Sequence, residues 1–448
     1  KYNQAAESVK YLPLENIQLT GTGGWPIRGQ LNVQTASYLR MQELDYVNPQ
    51  SGSSNWVAPI KWWDSKFSEL IDSHFDGTGV TKSSGVTALF PDNGSNDVHI
   101  MGNTFHDFTV ILRMGFREAG ETNSIDNILV DSNIVTFSEG ITDKGAPAEF
   151  VRLSASQTDG IERTECASAC QAGAPCADSD SSSGWNDDCN CSSAIRQIGD
   201  VTIQNNVVDF NDITDIQSFL QYKNGSNCGA LSAASLIARN NTVRNFNPSS
   251  SGSDVGVFVL GRSNNQNWDY KNYGGTIDLN NNLVTGANYK PVINIQIGAS
   301  GCGPGSAACD APGAYTGTAF DSGDNIYYGS GISFVYGGGC SAVGDCAGTA
   351  QSCSNNECVY SLANWRTQTS EDSTTDTCTP TFNGDGYHLA SADTCAKDTG
   401  DNANAAATDI DGGTRPQPGG GTSDIGADEV LASSAGSIAL AATSYVGY

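Results

Sequence analysis

The sequence predicts an all-β fold, a solenoid of the parallel β-helix type, on three observations. A short apolar strand that runs into an Asn turn recurs along most of the chain. Each occurrence is followed by a further apolar, largely β-branched strand. The composition is poor in Lys, Arg and Glu and rich in Gly, Ser, Asn, Asp and Thr, a mix that disfavours long helices and favours short strands with tight turns.

The phrase reads most clearly as Val98-His99-Ile100-Met101-Gly102-Asn103-Thr104-Phe105. It returns as Ile128-Leu129-Val130-Asp131-Ser132-Asn133, Val201-Thr202-Ile203-Gln204-Asn205-Asn206, Leu236-Ile237-Ala238-Arg239-Asn240-Asn241 and Ile277-Asp278-Leu279-Asn280-Asn281-Asn282. A worn copy is Asp324-Asn325-Ile326-Tyr327. Aligned on their turns, these give Asn103, Asn133, Asn206, Asn241, Asn282 and Asn325, with Ser73 in the same slot upstream. One strand–turn signature per period of this size is the mark of a solenoid.

The following strands include Val110-Ile111-Leu112, Phe150-Val151-Arg152-Leu153, Val257-Phe258-Val259-Leu260 and Val292-Ile293-Asn294-Ile295. Two strands per period leave room for a third, and equivalent strands of successive coils would stack about 4.8 Å apart. Buried parallel strands should be apolar and β-branched, as these are. The Asn column has a structural reason. Asn tolerates the left-handed conformation a turn needs, and stacked amides can hydrogen-bond from coil to coil. This column is expected to hold the fold and not to do chemistry.

Taken in order, residues 1–40 are expected to form an N-terminal cap and a first rung, since an open solenoid end exposes strand edges and core. The coil runs over residues 41–336. Its one long period, 73 residues between Asn133 and Asn206, contains a 42-residue strandless stretch, 154–195, rich in Ser, Ala, Asp and Cys. Removing that stretch leaves a period close to its neighbours, so it reads as an excursion from one turn of the coil. Smaller excursions are 261–275 and 299–319. Residues 337–430 form a Cys-rich C-terminal part. Residues 431–448 form a strand-like tail.

The 14 Cys cluster locally, as Cys302 with Cys309 and Cys378 with Cys395 illustrate, and this reads as disulfide staples in an oxidising compartment. Lys1 in place of an initiator Met reads as a chain from which an export signal has been removed. No apolar run is long enough for a membrane span. A net charge of −27 argues against nucleic acid as a partner and favours cation binding.

Near the end, Asn364-Trp365-Arg366, Tyr387-His388-Leu389, Asp409-Ile410-Asp411-Gly412-Gly413-Thr414-Arg415-Pro416 and Asp424-Ile425-Gly426-Ala427-Asp428-Glu429 follow one another. This series resembles the C-terminal portion of secreted bacterial right-handed parallel β-helix proteins of the choice-of-anchor Q domain type. The resemblance covers roughly residues 360–430. It implies a right-handed coil, closure of the solenoid by this segment, and secretion. It implies no reaction. Asp428 stands where that family usually has an aromatic residue.

Several groups are candidates for chemistry. Arg113, Lys144 and Arg152 are concentrated in a chain with only 22 basic residues, and adjacent coils could bring Arg113 and Arg152 to one face. Such a face could neutralise the carboxylate of an acidic polysaccharide during β-elimination. Trp268, Tyr270 and Tyr273 place flat aromatic faces in an excursion, suited to sugar rings or a protein partner. Asp178, Asp180, Asp187 and Asp188 offer hard oxygen donors in the manner of a Ca²⁺ loop, with Asp409-x-Asp411-Gly412 a weaker second. The four His do not group by spacing.

The function expected first is that of a non-catalytic extracellular surface or assembly protein, a filament subunit or adhesin. Its partners would be copies of itself or cell-surface components, joined by strand addition through Ile438, Leu440, Tyr445 and Val446. The alternatives are a polysaccharide lyase acting on acidic glycans and a carbohydrate-binding protein without turnover.

Overall fold

A computed structural model describes residues 12–15, 18–20, 31–34, 37–47, 60–63, 65–78, 87–92, 95–115, 125–138, 147–154, 198–211, 213–223, 235–249, 255–261, 276–286, 291–296, 319–336, 343, 346, 350–354, 357–417 and 419–431. The fold is almost entirely β, in three long sheets. The chain visits them in turn. One circuit is β1 (Leu12–Glu15), β2 (Gln18–Thr20) and β3 (Leu31–Gln34), and the next is β4 (Ser37–Gln42), β5 (Asp45–Val47) and β6 (Ile60–Trp63). Then come β7 (Lys66–Ile71), β8 (His74–Asp76) and β9 (Thr87–Asp92), followed by β10 (Asn96–Met101), β11 (Thr104–His106) and β12 (Val110–Gly115). The middle circuits are β13 (Asp126–Asp131), β14 (Ile134–Thr136), β15 (Ala148–Ser154) and β16 (Val201–Gln204), β17 (Val207–Asp209), β18 (Ile216–Lys223). The last are β19 (Ser235–Arg239), β20 (Thr242–Arg244), β21 (Gly256–Gly261); β22 (Thr276–Asn280), β23 (Leu283–Thr285), β24 (Pro291–Gln296); and β25 (Ala319–Gly323), β26 (Ile326–Tyr328), β27 (Ser333–Tyr336).

Each strand pairs in parallel with the strand three places on. Sheet A therefore runs β1-β4-β7 through to β25, sheet B runs β2-β5-β8 through to β26, and sheet C runs from β3 to β27. Two short antiparallel strands, β28 (Ser352–Ser354) and β29 (Glu357–Tyr360), extend sheet C beyond β27. The third strand that the sequence left room for is the three residues directly after each turn, as in Thr104-Phe105-His106.

The turn between sheets A and B departs from expectation in one respect. The left-handed residue is not the recurring Asn but the residue before it: Asp72, Gly102, Ser132, Asn205, Asn240, Asn281 and Asp324 all have φ between 48° and 66°. The recurring Asn is instead fully buried and bonded along the coil axis. Two tasks assigned to one residue are thus divided between two. A buried amide must satisfy every donor and acceptor, and it does so best when the neighbouring residue makes the bend.

The interior is filled by side chains that stack from coil to coil. Tyr46, Phe75 and Phe105 point inward at one sheet B position, with the last two rings 5.1 Å apart and nearly parallel. A second column, Phe137, Phe210 and Phe246, lines the corner that follows, Phe137 and Phe210 being 5.1 Å apart. This Phe follows Asn133, Asn206 and Asn241 by four or five residues. The last circuit carries Trp365, from helix α1 (Leu362–Thr369), which is fully buried and stacked 5.1 Å from Phe334. Ser361 caps this helix by accepting from the Asn364 N–H at 3.3 Å, as N-cap serines do. The helix was not anticipated.

Residues 371–431 form no long strands. They run back along the outside of the coil, over sheet B. The outward position of sheet B changes character to match. Thr104 is exposed and Ile134 half-buried, whereas Val207, Thr242, Leu283 and Ile326 are buried. Leu283 and Ile326 pack with Leu389, Cys395, Ala396, Ile425 and Val430 of the covering segment. Disulfides Cys346–Cys358 and Cys378–Cys395 staple the C-terminal part, the second joining the pair the sequence framed. Cys353 is disulfide-bonded as well. No described helix is long and apolar enough to cross a membrane.

Candidate functional site

The recurring Asn residues build a continuous ladder. Asn103 Nδ2 donates to Asn133 Oδ1 at 3.0 Å, Asn133 to Asn206 at 2.9 Å, Asn206 to Asn241 at 3.0 Å, Asn241 to Asn282 at 3.0 Å and Asn282 to Asn325 at 3.2 Å. Each amide oxygen also accepts the backbone N–H of the previous rung, as Asn103 Oδ1 does from Ser73. Every hydrogen-bonding group is committed to the fold, which leaves none for a ligand.

Arg113 and Arg152 are register partners on β12 and β15 of sheet C. Gln221 and Val259 continue the same row on β18 and β21, and Asn294 follows on β24. Arg152 is anchored. Its Nε donates to Glu149 Oε2 at 2.6 Å and its Nη2 donates to Glu149 Oε1, beneath which Glu149 is fully buried. A buried carboxylate requires such a partner. Beside this pair Ser218 and Gln221 are buried, and among the described residues neither the Ser218 hydroxyl nor either polar atom of the Gln221 amide has a hydrogen-bond partner. An orphaned polar group costs about 1–3 kcal/mol. This stretch of sheet C therefore holds unused hydrogen-bonding capacity next to guanidinium groups, an arrangement suited to an anionic, hydroxyl-rich ligand.

Other residues singled out in the sequence lie outside the described residues. They are Lys144, the aromatics Trp268, Tyr270 and Tyr273, the acidic residues Asp178, Asp180, Asp187 and Asp188, the pair Cys302 and Cys309, and the tail residues Ile438, Leu440, Tyr445 and Val446.

The C-terminal motif residues converge against sheet B. Arg415 and Glu429 form a fully buried ion pair at 2.9 Å. Arg415 also donates to the carbonyls of Asp424 at 3.1 Å and Gly426 at 2.8 Å, while Glu429 accepts the N–H groups of Gln417 at 2.8 Å and Asp424 at 2.9 Å. Asp424 accepts from the N–H groups of Asp398 at 2.6 Å and Val430 at 2.7 Å. Burial pushes its carboxyl up to about 7, against those hydrogen bonds. Asn240 and Asn281, the left-handed residues of two turns, reach out to this segment. The Asn240 side-chain Oδ1 accepts the Ala406 N–H at 2.8 Å, and the Asn281 side chain exchanges bonds with the backbone of Asp401 at 2.8 and 2.9 Å.

Next to this frame sits a cluster that the sequence did not group. His388 Nδ1 lies 2.7 Å from Asp385 Oδ2, and its Nε2 lies 2.8 Å from Asp411 Oδ2. Asp428, largely buried, accepts the Leu389 N–H at 2.6 Å. One donor atom from each of His388, Asp411 and Asp428 falls within 4.8 Å of the others. Burial works against charge on His388, but the bonds to Asp385 and Asp411 outweigh it and hold the imidazole above its ordinary value. Burial raises the carboxyl of Asp428. Asp409 makes the adjoining turn, accepting the N–H groups of Asp411 at 3.0 Å and Gly413 at 2.6 Å. The available sequence signal was weak: a single His within a carboxylate-rich last quarter of the chain.

No family model, curated protein or solved structure matches this chain.

Proposed function

We propose that the chain is a right-handed parallel β-helix of the choice-of-anchor Q type, secreted, and that it works outside the cell as a non-catalytic surface or assembly protein. The observation that carries this reading is how the C-terminal segment attaches. It packs against the side of the coil as far as Val430, and Leu431 after it is exposed. Residues 432–448 follow, and 17 residues fully extended span at most about 60 Å. Coils about 4.8 Å apart put the N-terminal strands of sheets A and B some six circuits away, about 29 Å. A strand from this tail could thus reach the sheet edge of a second copy and add to it. The disulfides fit an oxidising exterior. The test compares the full chain with a 1–431 truncation by electron microscopy and light scattering. Assembly by the full chain and not by the truncation supports the reading; equal assembly by both, or none by either, sinks it.

A second reading has its own observation, the Arg113–Arg152 row with the orphaned Gln221 amide. On that reading the protein binds or cleaves an acidic polysaccharide along sheet C. Incubation with alginate, pectate or chondroitin, followed by ultraviolet absorbance of the unsaturated product, reports cleavage. Retarded migration in glycan-containing gels reports binding without turnover. Either effect should be lost in Arg113→Ala and reduced in Gln221→Leu, and an unchanged effect in both removes this face from the interaction.

A further inference from the structure

We infer that His388, Asp411 and Asp428 form a binding site for a divalent transition-metal ion of the zinc class, with Asp385 as the group that orients the histidine. The inference is independent of the assembly reading above and rests on two separate observations. The first is convergence. The three donors come from three segments of the C-terminal part: the stretch around residues 385–389, the turn at 409–413, and the run 424–429. Their ligand atoms lie within 4.8 Å of one another. Donors bonded to one tetrahedral zinc ion at about 2.1 Å stand about 3.4 Å apart, so side-chain movements of about an ångström close the site.

The second is the support behind the histidine. A metal-bound imidazole nearly always gives its other ring N–H to a carboxylate, a backbone carbonyl or water, which fixes the tautomer and aims the free lone pair. Asp385 occupies that place, with its Oδ2 2.7 Å from Nδ1. It is itself held, because its Oδ1 accepts the backbone N–H groups of Tyr387 and His388, both at 3.1 Å. Nε2 is thereby directed to the Asp411 side. Asp428 is positioned by the Leu389 N–H on its Oδ2.

Charge argues in the same direction. Asp385, Asp411 and Asp428 share one imidazole, and Asp409 lies behind them. The neighbouring cation, Arg415, is spent on Glu429 and on the carbonyls of Asp424 and Gly426. A dication supplies what a single imidazolium does not. An imidazole nitrogen with two carboxylates selects zinc and its first-row neighbours over Ca²⁺ or Mg²⁺, which take oxygen ligands. Such an ion would tie together three segments that now meet through single hydrogen bonds.

The experiment is calorimetric titration of the metal-free full chain with Zn²⁺, repeated with Ca²⁺, and Co²⁺ substitution followed by visible absorption. One zinc ion per chain is expected at this site, with ligand-field bands from Co²⁺ and a rise in melting temperature. His388→Gln and Asp411→Asn should each weaken zinc binding by 100-fold or more, and Asp385→Asn by about 10–100-fold. Asp411 is exposed, so its variant folds even if His388→Gln does not, and circular dichroism checks both. Zinc binding of unchanged affinity in folded Asp411→Asn and His388→Gln, or no stoichiometric binding by the folded wild type, overturns the proposal.

Discussion

At the scale of single residues, the same side-chain type does different work according to one backbone angle. In the doublets Asn205-Asn206, Asn240-Asn241 and Asn281-Asn282 both residues are buried, but the first is left-handed and bonds to groups outside the ladder, and the second is a rung of it. Charge pairs divide in the same way. Arg415 and Glu429 are fully buried together, whereas Arg40 and Glu69 lie 3.9 Å apart with more than a third of each side chain exposed. Removing one member of a buried pair strands the other without solvent. Arg415→Met is therefore expected to cost about 3–5 kcal/mol. Arg40→Met should cost less than about 1 kcal/mol. Urea denaturation of both variants measures the contrast, and equal costs would show that the Arg415 pair is not desolvated.

At the scale of elements, the C-terminal segment depends on how closely it approaches the coil. Gly426 has φ +104°, and a Cβ there would lie 2.8 Å from Thr242 Oγ1 and 3.2 Å from Leu283 Cβ. Its N–H bonds the Asn281 carbonyl at 2.9 Å, and the next N–H bonds Thr242 Oγ1 at 2.8 Å. Gly426→Ala combines backbone strain with overpacking, each worth about 1–3 kcal/mol. The change should loosen the segment while sheets A and C keep their pairing. Limited proteolysis is expected to release fragments from residues 380–430 faster in this variant, with little change in the far-ultraviolet circular dichroism. The strands themselves were legible because alternation and β-branching are local. The covering segment was legible only in part. Val207, Leu283 and Ile326 follow exposed Thr104 in an outward column, which signals a cover but does not say what provides it.

At the scale of the whole molecule, acidity and burial meet in the C-terminal part and set a pH response. Asp424 has its carboxyl raised from 3.8 to about 7 by burial, so the folded state holds a proton that the unfolded chain gives up. Stability from this group is complete below the unfolded value and is lost as pH rises from about 4 to about 7. Burial also raises Asp428, and hydrogen bonding to two carboxylates outweighs burial to raise His388, which gives both the same sign. Melting temperature should therefore be higher at pH 5 than at pH 7.5 in metal-free buffer. Asp424→Asn should flatten the slope between them. A melting temperature that rises over this interval would contradict the assignment.

The sequence by itself determined the all-β class, the period of the coil and the identity of its buried amides, because these follow from spacing, alternation and the chemistry of one residue type. It also marked the Cys378–Cys395 staple, since close Cys pairs close short loops. Tertiary structure alone decided that the left-handed angle falls one residue before the ladder Asn. It likewise decided that Arg152 is anchored on a buried Glu149, and that His388 meets Asp411 and Asp428. The contacts of His388 join residues whose separation along the chain carries no period. They exist only because the C-terminal segment folds back along sheet B, and what holds it there is a set of single-residue fits that no local pattern announces.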